Sequence, residues 1–263
     1  TTTLTLSSAK GVPATPTGLP ESKEYRWRNA LIQSLFSLSC FRSMISGTEF
    51  DKQQPFARKL KKIFSSLGKG QLPNFEKFNE RLNLNAQIID AESGIRNILL
   101  KLKLEEKREI DYLDPLFKWS YNAFRTIGNL LSRKMENVGL VQDRHESILL
   151  RPFTRGQQVD DLVMESLKRG VYSALEVTEA PLMLVAKVVP TIKGSFAEKL
   201  QLPAQENQKV ALTLRAIVVK DDKGPNYYAI VSRDVGDKLV WYRVNDRSVE
   251  NVPFDTVKLM SPE

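Results

Sequence analysis

The sequence predicts an α+β chain, helices first and an antiparallel sheet second. Three observations carry the prediction. From Trp27 to about residue 135, apolar residues recur at steps of three and four, the period of a helix with one buried face. From Pro181 onward the texture changes to short β-branched and aromatic runs, separated by DDKGPN and VGD, which are turn chemistry. The two regimes are segregated along the chain, helices first and sheet second, which is the order of an α+β arrangement.

Composition limits the function classes. The 263 residues are 41% hydrophobic, enough for a sizeable core, and one domain is expected. No apolar run reaches transmembrane length and no signal-peptide pattern opens the chain. The first residue is Thr1, so a processed product or a piece of something longer is expected. A single cysteine, Cys40, cannot form an internal disulfide, and no CxxC pair is present to hold zinc. An intracellular compartment, nucleus or cytoplasm rather than an organelle, follows as the expectation.

The formal charge of +8 (39 basic, 31 acidic residues) is concentrated. DKQQPFARKLKKIFSSLGKGQL, residues 51–72, holds six Lys/Arg against one Asp, six minus one giving +5. Phe56, Leu60, Ile63 and Phe64 form a helical apolar stripe there, which places Arg58, Lys59, Lys61 and Lys62 mainly on the other faces. A solvated helix face is the plain reading; an acidic protein surface or RNA would be the partners of such a patch.

In chain order, residues 1–17 (TTTLTLSSAKGVPATPT) read as a flexible tail or linker with little to bury. Gly18 to Phe41, GLPESKEYRWRNALIQSLFSLSCF, reads as a loop feeding a buried helix, its stripe set by Trp27, Leu31, Leu35 and Leu38 and widened by Ile32 and Phe36. Such a helix start can lower a thiol's pKa and present it to substrate, but this one carries Arg26. Helices are predicted over the basic segment, over 74–83, over about 90–108 with Asp90 as N-cap, and over about 114–135. ENVGLVQDRHESILLRPF suggests a short hairpin and VDDLVMESLKRG a further helix. PLMLVAKVV reads as a strand buried on both faces, followed by a meander through KVALTLRAIVVKDD, YYAIVSRD and KLVWYRVND. The first helix is expected to pack on this sheet.

These segments, in this order, resemble the ubiquitin-specific protease family. The family's first box, roughly GLxNxGNTCYMNALLQSLF, aligns without a gap to GLPESKEYRWRNALIQSLF, with agreement at Gly18, Leu19, Asn29, Ala30, Leu31, Gln33, Ser34, Leu35 and Phe36. QDAQEFLxxLLxxL resembles Asp90-Ala91-Glu92 followed by Ile98, Leu99 and Leu102. LPxxLxxxLKRF is similar to APLMLVAKVVP. The closing boxes, YxLxAVxxHxGxxxxGHYxAYV and WYxFNDxxVxxV, resemble LTLRAIVVKDDKGPNYYAIV and WYRVNDRSVENVP. The likeness runs from about Gly18 to Val257.

The resemblance implies a papain-like fold with a helical thumb (18–135), a reduced finger region and helix (136–180) and a β palm (181–263). It also implies which positions would carry chemistry. The nucleophilic cysteine maps onto Arg26, the histidine onto Asn226, the third triad member onto Asn245 and the oxyanion-hole Asn onto Glu21. A thiol protease needs a thiolate, a base within hydrogen-bond reach and donors aimed at the developing oxyanion. Guanidinium is no nucleophile, Asn is no base, and a carboxylate at position 21 would repel the oxyanion; Asn245 alone is compatible. No deubiquitinase activity is expected.

The family's zinc fingers need two CxxC pairs that this chain lacks, so they are expected to be lost or reduced and ubiquitin binding becomes doubtful. Arg26 is expected to pair with Glu21 or Glu24 and close the cleft. Cys40 and His145 are the remaining thiol and imidazole, but Cys40 falls among Leu38 and Phe41, where a buried inert thiol is the usual finding. One cysteine, one histidine and scattered glycines leave no metal or cofactor site to expect.

The expected function is a non-catalytic scaffold or binding module in a larger assembly, an RNA-processing or other ribonucleoprotein complex, as with inactive relatives of the family in splicing and deadenylation. A divergent cysteine hydrolase of ubiquitin or a ubiquitin-like modifier is the alternative. The contact surfaces expected are the basic helix and palm aromatics among Tyr227, Tyr228, Trp241 and Tyr242, most of them structural, since Trp241 and Tyr242 cannot point to the same face of a regular strand.

Overall fold

In chain order the helices are α1 (Arg26–Ser37), α2 (Ser39–Gly47), α3 (Pro55–Gly68), α4 (Glu76–Asn83), α5 (Ala91–Leu104), α6 (Asp114–Phe117) and α7 (Val159–Lys168). The strands are β1 (Lys118–Ile127), β2 (Lys134–Arg144), β3 (Ile148–Leu150), β4 (Ala174–Glu179), β5 (Ala186–Val188), β6 (Lys199–Pro203), β7 (Lys209–Thr213), β8 (Ala216–Lys220), β9 (Tyr227–Val235), β10 (Lys238–Asn245) and β11 (Ser248–Val252). The computed structural model describes residues 12–22, 25–83, 90–106, 113–127, 133–144, 148–150, 159–168, 170–188, 198–204, 208–220 and 226–255. They divide into two compact units, one drawn from Thr1–Tyr112 and Arg215–Phe254, the other from Leu113–Leu214 and Asp255–Glu263.

The first unit is built around α1. Trp27, Ala30, Leu31, Ile32, Leu35 and Phe36 are all buried, so nearly the whole circumference of this helix is covered. On one side lies the antiparallel meander β11-β10-β9-β8. Alternation along its strands sends Ala229 and Val231 of β9 and Tyr242 and Val244 of β10 to one face, where they cluster with Ala30. On its other sides lie helices. Phe64 of α3 meets Phe36 edge-on at 5.4 Å and Phe41 of α2 at 6.0 Å, and Phe56 stacks on Phe78 of α4 at 5.2 Å. Each such side chain stabilises the fold by about 1.5–3 kcal/mol through burial.

Local chemistry fixes the helix ends. Asp90 caps α5 in a capping box, accepting from the Ser93 amide at 2.7 Å while its own amide donates to Ser93 Oγ. The Glu105 carboxylate, at the end of the same helix, accepts from the Phe56 and Ala57 amides at 2.9 and 3.0 Å and so satisfies the start of α3. Gly94 lets α5 approach α1: a Cβ there would lie 2.5 Å from the Trp27 ring.

In the second unit β1 is the central strand of the sheet β2-β1-β4, antiparallel to both neighbours. Trp119, Tyr121 and Ala123 alternate along it into a core with Leu175, Val177, Leu202 and Leu162, Val163, Met164 and Leu167 of α7. A parallel pair β3-β5 and an antiparallel pair β6-β7 complete the unit.

Several expectations need correction. The helix predicted over 114–135 is only α6; from Lys118 the chain is strand, because the period-two series Trp119, Tyr121, Ala123 wins over the helical spacing of the same apolar residues. ENVGLVQDRHESILLRPF is no hairpin, since β2 pairs with β1 and β3 with β5. PLMLVAKVV is strand only at Ala186–Val188, and Leu182 is 43% exposed, so it is not a long strand covered on both faces. Residues 12–17, assigned to the tail, are held to the fold: Pro16 is buried and the Thr17 carbonyl accepts from Gln33 Nε2 at 2.6 Å. The first helix ends at Ser37 because Leu38 leaves helical geometry (φ −76°, ψ 105°), so Cys40 belongs to α2.

Candidate functional site

The Gly-Leu-Pro segment, the start of α1 and the β10–β11 turn are bound into one wall. Asp246 occupies the first position of the two-residue turn with φ 47°, a left-handed conformation that Asp tolerates better than most side chains. Its main-chain carbonyl accepts from the Leu19 amide at 2.7 Å and its carboxylate from Asn29 Nδ2 at 2.6 Å. The same Asn29 nitrogen donates to the Pro20 carbonyl at 2.8 Å. A Cβ on Gly18 would lie 2.5 Å from the Arg247 carbonyl oxygen, so this approach requires glycine.

Behind the wall the network continues. The Asn29 side-chain oxygen accepts from Arg28 Nε and Nη2 at 3.2 and 2.9 Å, and Arg28 Nη1 donates to Asn79 Oδ1 at 3.1 Å. The Arg28 guanidinium lies 3.9 Å from the Phe75 ring centre. Burial pushes Arg28 down to about 10, an effect opposed by the charge of Asp246 and by Tyr25.

In front of the wall is an open cleft of about 560 Å³, lined by Pro20, Glu21, Asn226, Asn245, Asp246, Arg247 and Ser248. Three of the four positions singled out in the sequence, Glu21, Asn226 and Asn245, therefore converge, although they are separated by two hundred residues of chain. Glu21 and Asn226 are exposed and Asn245 half-buried. Arg26 is the first residue of α1, which starts with no side-chain cap. The expected pairing of Arg26 with Glu21 or Glu24 lies outside the described residues. Neither Cys40 nor any other thiol lines the cleft, and its named lining holds carboxylate, amide, guanidinium and hydroxyl groups.

Tyr227, beside Asn226, ties this rim to α5. Burial and the Asp90 charge push its hydroxyl up, against the pull of a hydrogen bond with the Ala91 backbone. The other aromatics are largely covered. Trp241 and Tyr242 are 3% and 8% exposed, pointing to opposite faces that are both covered, Trp241 by Phe254 at 5.3 Å. Tyr228 lies under the Arg243 guanidinium at 4.4 Å. On α3, Arg58 and Lys62 are exposed, Lys59 and Lys61 half-buried, and Lys61 Nζ donates to the Thr48 carbonyl at 2.8 Å.

Cys40 is half-buried, and burial pushes its thiol up despite the nearby charges of Arg42 and Arg215. His145 lies outside the described residues, so the Cys40–His145 pair has no geometry to report. Sequence reading missed Arg28 and Asp246. The available signal was Asn-Asp-Arg-Ser, a two-residue hairpin turn at the end of the sheet, and an Arg-Asn pair on an otherwise apolar helix face.

Among the described residues no helix is long and apolar enough to cross a membrane. No family model and no curated protein matches the chain. Solved structures do. The Saccharomyces cerevisiae Pan2 pseudoubiquitin hydrolase–RNA exonuclease module in complex with AAUUAA RNA matches with a TM-score of 0.68 at 12% identity, over 95% of this chain and 52% of that one. The same module without RNA matches with a TM-score of 0.67 at 12% identity, over 95% and 53%. A further structure of the PAN2 pseudoubiquitin-hydrolase–RNase module gives 0.63 at 13% identity, over 95% and 51%. The chain thus spans about half the length of these structures, and at this identity the likeness shows the fold alone: a mixed helix and antiparallel-sheet body like that of the pseudoubiquitin hydrolase modules.

Proposed function

We propose that this chain is a pseudo-deubiquitinase, a ubiquitin-protease fold retained as a non-catalytic binding module of a larger assembly. The observation that carries the reading is the cleft itself: the positions that would hold the base, the orienting residue and the oxyanion donor converge there as Asn226, Asn245 and Glu21. An amide cannot accept the proton of a nucleophile near neutral pH, and a carboxylate opposes the charge an oxyanion hole must stabilise. In this reading α1–α5 form the thumb, β8–β11 the palm, and the second unit stands at the sequence position of the fingers without their cysteines. Arg28, Asn29 and Asp246 then keep the old active-site wall for its shape.

The partner setting follows the solved structures in kind. Those modules join a pseudoubiquitin hydrolase to an RNA exonuclease, and one of them was captured with AAUUAA RNA. For this chain we infer a scaffold role in an RNA-processing or other ribonucleoprotein assembly, with the basic face of α3 (Arg58, Lys59, Lys62) as its nucleic-acid contact.

A fluorogenic ubiquitin ester and a ubiquitin-vinyl probe test the reading. Neither turnover nor adduct is expected from the native chain. Arg26→Cys is also expected to stay inactive, because Asn226 leaves the new thiol without a base. Measurable turnover by either protein would overturn the assignment.

A further inference from the structure

In the second unit, the antiparallel pair β1–β2 leaves apolar surface uncovered. Single exposed apolar side chains are ordinary, whereas a group of them marks a contact surface. Four of the ten large apolar side chains exposed among the described residues stand on these two strands: Ile127 (42%), Met135 (58%), Val138 (47%) and Leu140 (60%). The register explains how they gather. Ala123 faces Gly139 and Phe124 faces Asn137, so Val138 is the extra residue of a bulge, tied by the Gly139 amide donating to Asn137 Oδ1 at 2.7 Å. One extra residue reverses the alternation along β2. Leu140, opposite Asn122, and Met135, opposite Thr126, therefore share the face turned away from the core side chains Trp119, Tyr121 and Ala123, with half-buried Phe124 between them.

The same strand has an open edge. β2 is 11 residues long and ends the sheet β2-β1-β4, so its outward main-chain groups have no strand to pair with among the described residues. Such an edge is a template for another chain. Charge beside it is uncommitted at the end where β2 begins: Arg125, Arg133, Lys134 and Glu136 are exposed, and their side chains make no hydrogen bond or ion pair among the described residues. Three cations minus one carboxylate leave +2. At the other end Asp143 accepts from the Arg144 amide, and Arg144 lies 3.8 Å from Asp114.

We propose that β2 takes up an acidic peptide segment of a partner as an added strand. The segment's main chain pairs with the open edge, its alternate apolar side chains extend the strip Met135, Phe124, Leu140, and its carboxylates meet Arg133 and Lys134. The bulge at Val138 divides the edge into short stretches, which suits a linear segment better than the edge of a folded sheet. A second copy would bring the same surplus of cations, and like charges opposed across strands destabilise. Single-stranded RNA needs accessible rings for its bases, and the ring here is half-buried Phe124. A lipid surface would use the cations and the apolar strip but leave the strand edge unpaired.

The test titrates the full chain with a fluorescein-labelled decapeptide alternating Asp and Val, with oligoriboadenylate and with phosphatidylserine vesicles. Three twins of the peptide carry Lys for Asp, Ser for Val, or a methyl group on every main-chain nitrogen. The Asp/Val peptide should bind saturably and at least about tenfold tighter than each twin. Methylation leaves every side chain in place, so its effect reads strand pairing. Leu140→Lys, and Arg133→Glu with Lys134→Glu, alter only exposed side chains, so both chains should keep the native melting curve while binding the peptide about tenfold more weakly. The proposal is overturned by the absence of saturable binding, by equal binding of the Asp/Val and Lys/Val peptides, or by binding that survives methylation. Variants that bind the peptide like the native chain, or that change only the response to oligoriboadenylate or to vesicles, overturn it as well.

Discussion

Asn29 is the residue on which the cleft wall depends. Its amide group donates to Pro20 and Asp246 and accepts twice from Arg28, so it joins the incoming loop, the sheet turn and a buried cation. Removing it leaves a carboxylate and a guanidinium short of partners in a region closed to water, and the loss of a buried hydrogen-bonded group is more costly than the bond itself. Asn29→Ala should therefore lose about 2–4 kcal/mol, read as a lower urea midpoint at unchanged slope. Cys40 offers a second residue-scale check. The folded state raises its pKa, so at pH 8 the thiolate fraction is smaller in the folded chain than in the unfolded one. Iodoacetamide, which attacks only thiolate, should alkylate it more slowly in the folded chain than in the same chain in urea, and an equal or faster rate would contradict the burial of the thiol.

At the scale of elements, helices with caps and a single apolar stripe were readable and strands competing with them were not. Asp90 was legible as an N-cap because it stands directly before Ala91, where the helix begins, and its carboxylate can accept from the first-turn amides. The segment Lys118–Ile127 was not, since Trp119, Tyr121, Ala123 and Phe124 satisfy helical and strand spacing at once; pairing with β2 and β4, invisible in one sequence, decides it. Pro181–Val185 misled for the opposite reason, an apolar run of strand length that stays outside any strand. Glu105 shows what only three dimensions supply: it ends α5, yet its carboxylate starts α3 forty-eight residues upstream. Glu105→Ala should cost about 1–2 kcal/mol by exposing two amides at the start of α3, measurable by denaturation and as faster amide exchange at Phe56 and Ala57.

For the molecule as a whole, the meeting of three distant positions in one cleft was more legible than the division of the chain into units. Glu21, Asn226 and Asn245 could be placed together because box order fixes which strand end meets which loop, whereas the division into two units depends on long-range contacts that no local pattern encodes. The charge distribution gives the last prediction. Of the +5 carried by residues 51–72, Lys61 is partly committed to the Thr48 carbonyl, while Arg58, Lys59 and Lys62 lie off the buried stripe of Phe56, Leu60, Ile63 and Phe64. Three phosphate contacts to single-stranded RNA imply a salt slope near −2, so oligoriboadenylate affinity should fall about 20-fold between 50 and 200 mM salt. Arg58→Glu with Lys62→Glu should remove most of that slope and leave stability within about 0.5 kcal/mol, since neither side chain is buried. A slope unchanged by the double substitution would move the nucleic-acid contact elsewhere on the chain, and a flat response in the native protein would leave the basic face of α3 to a protein partner.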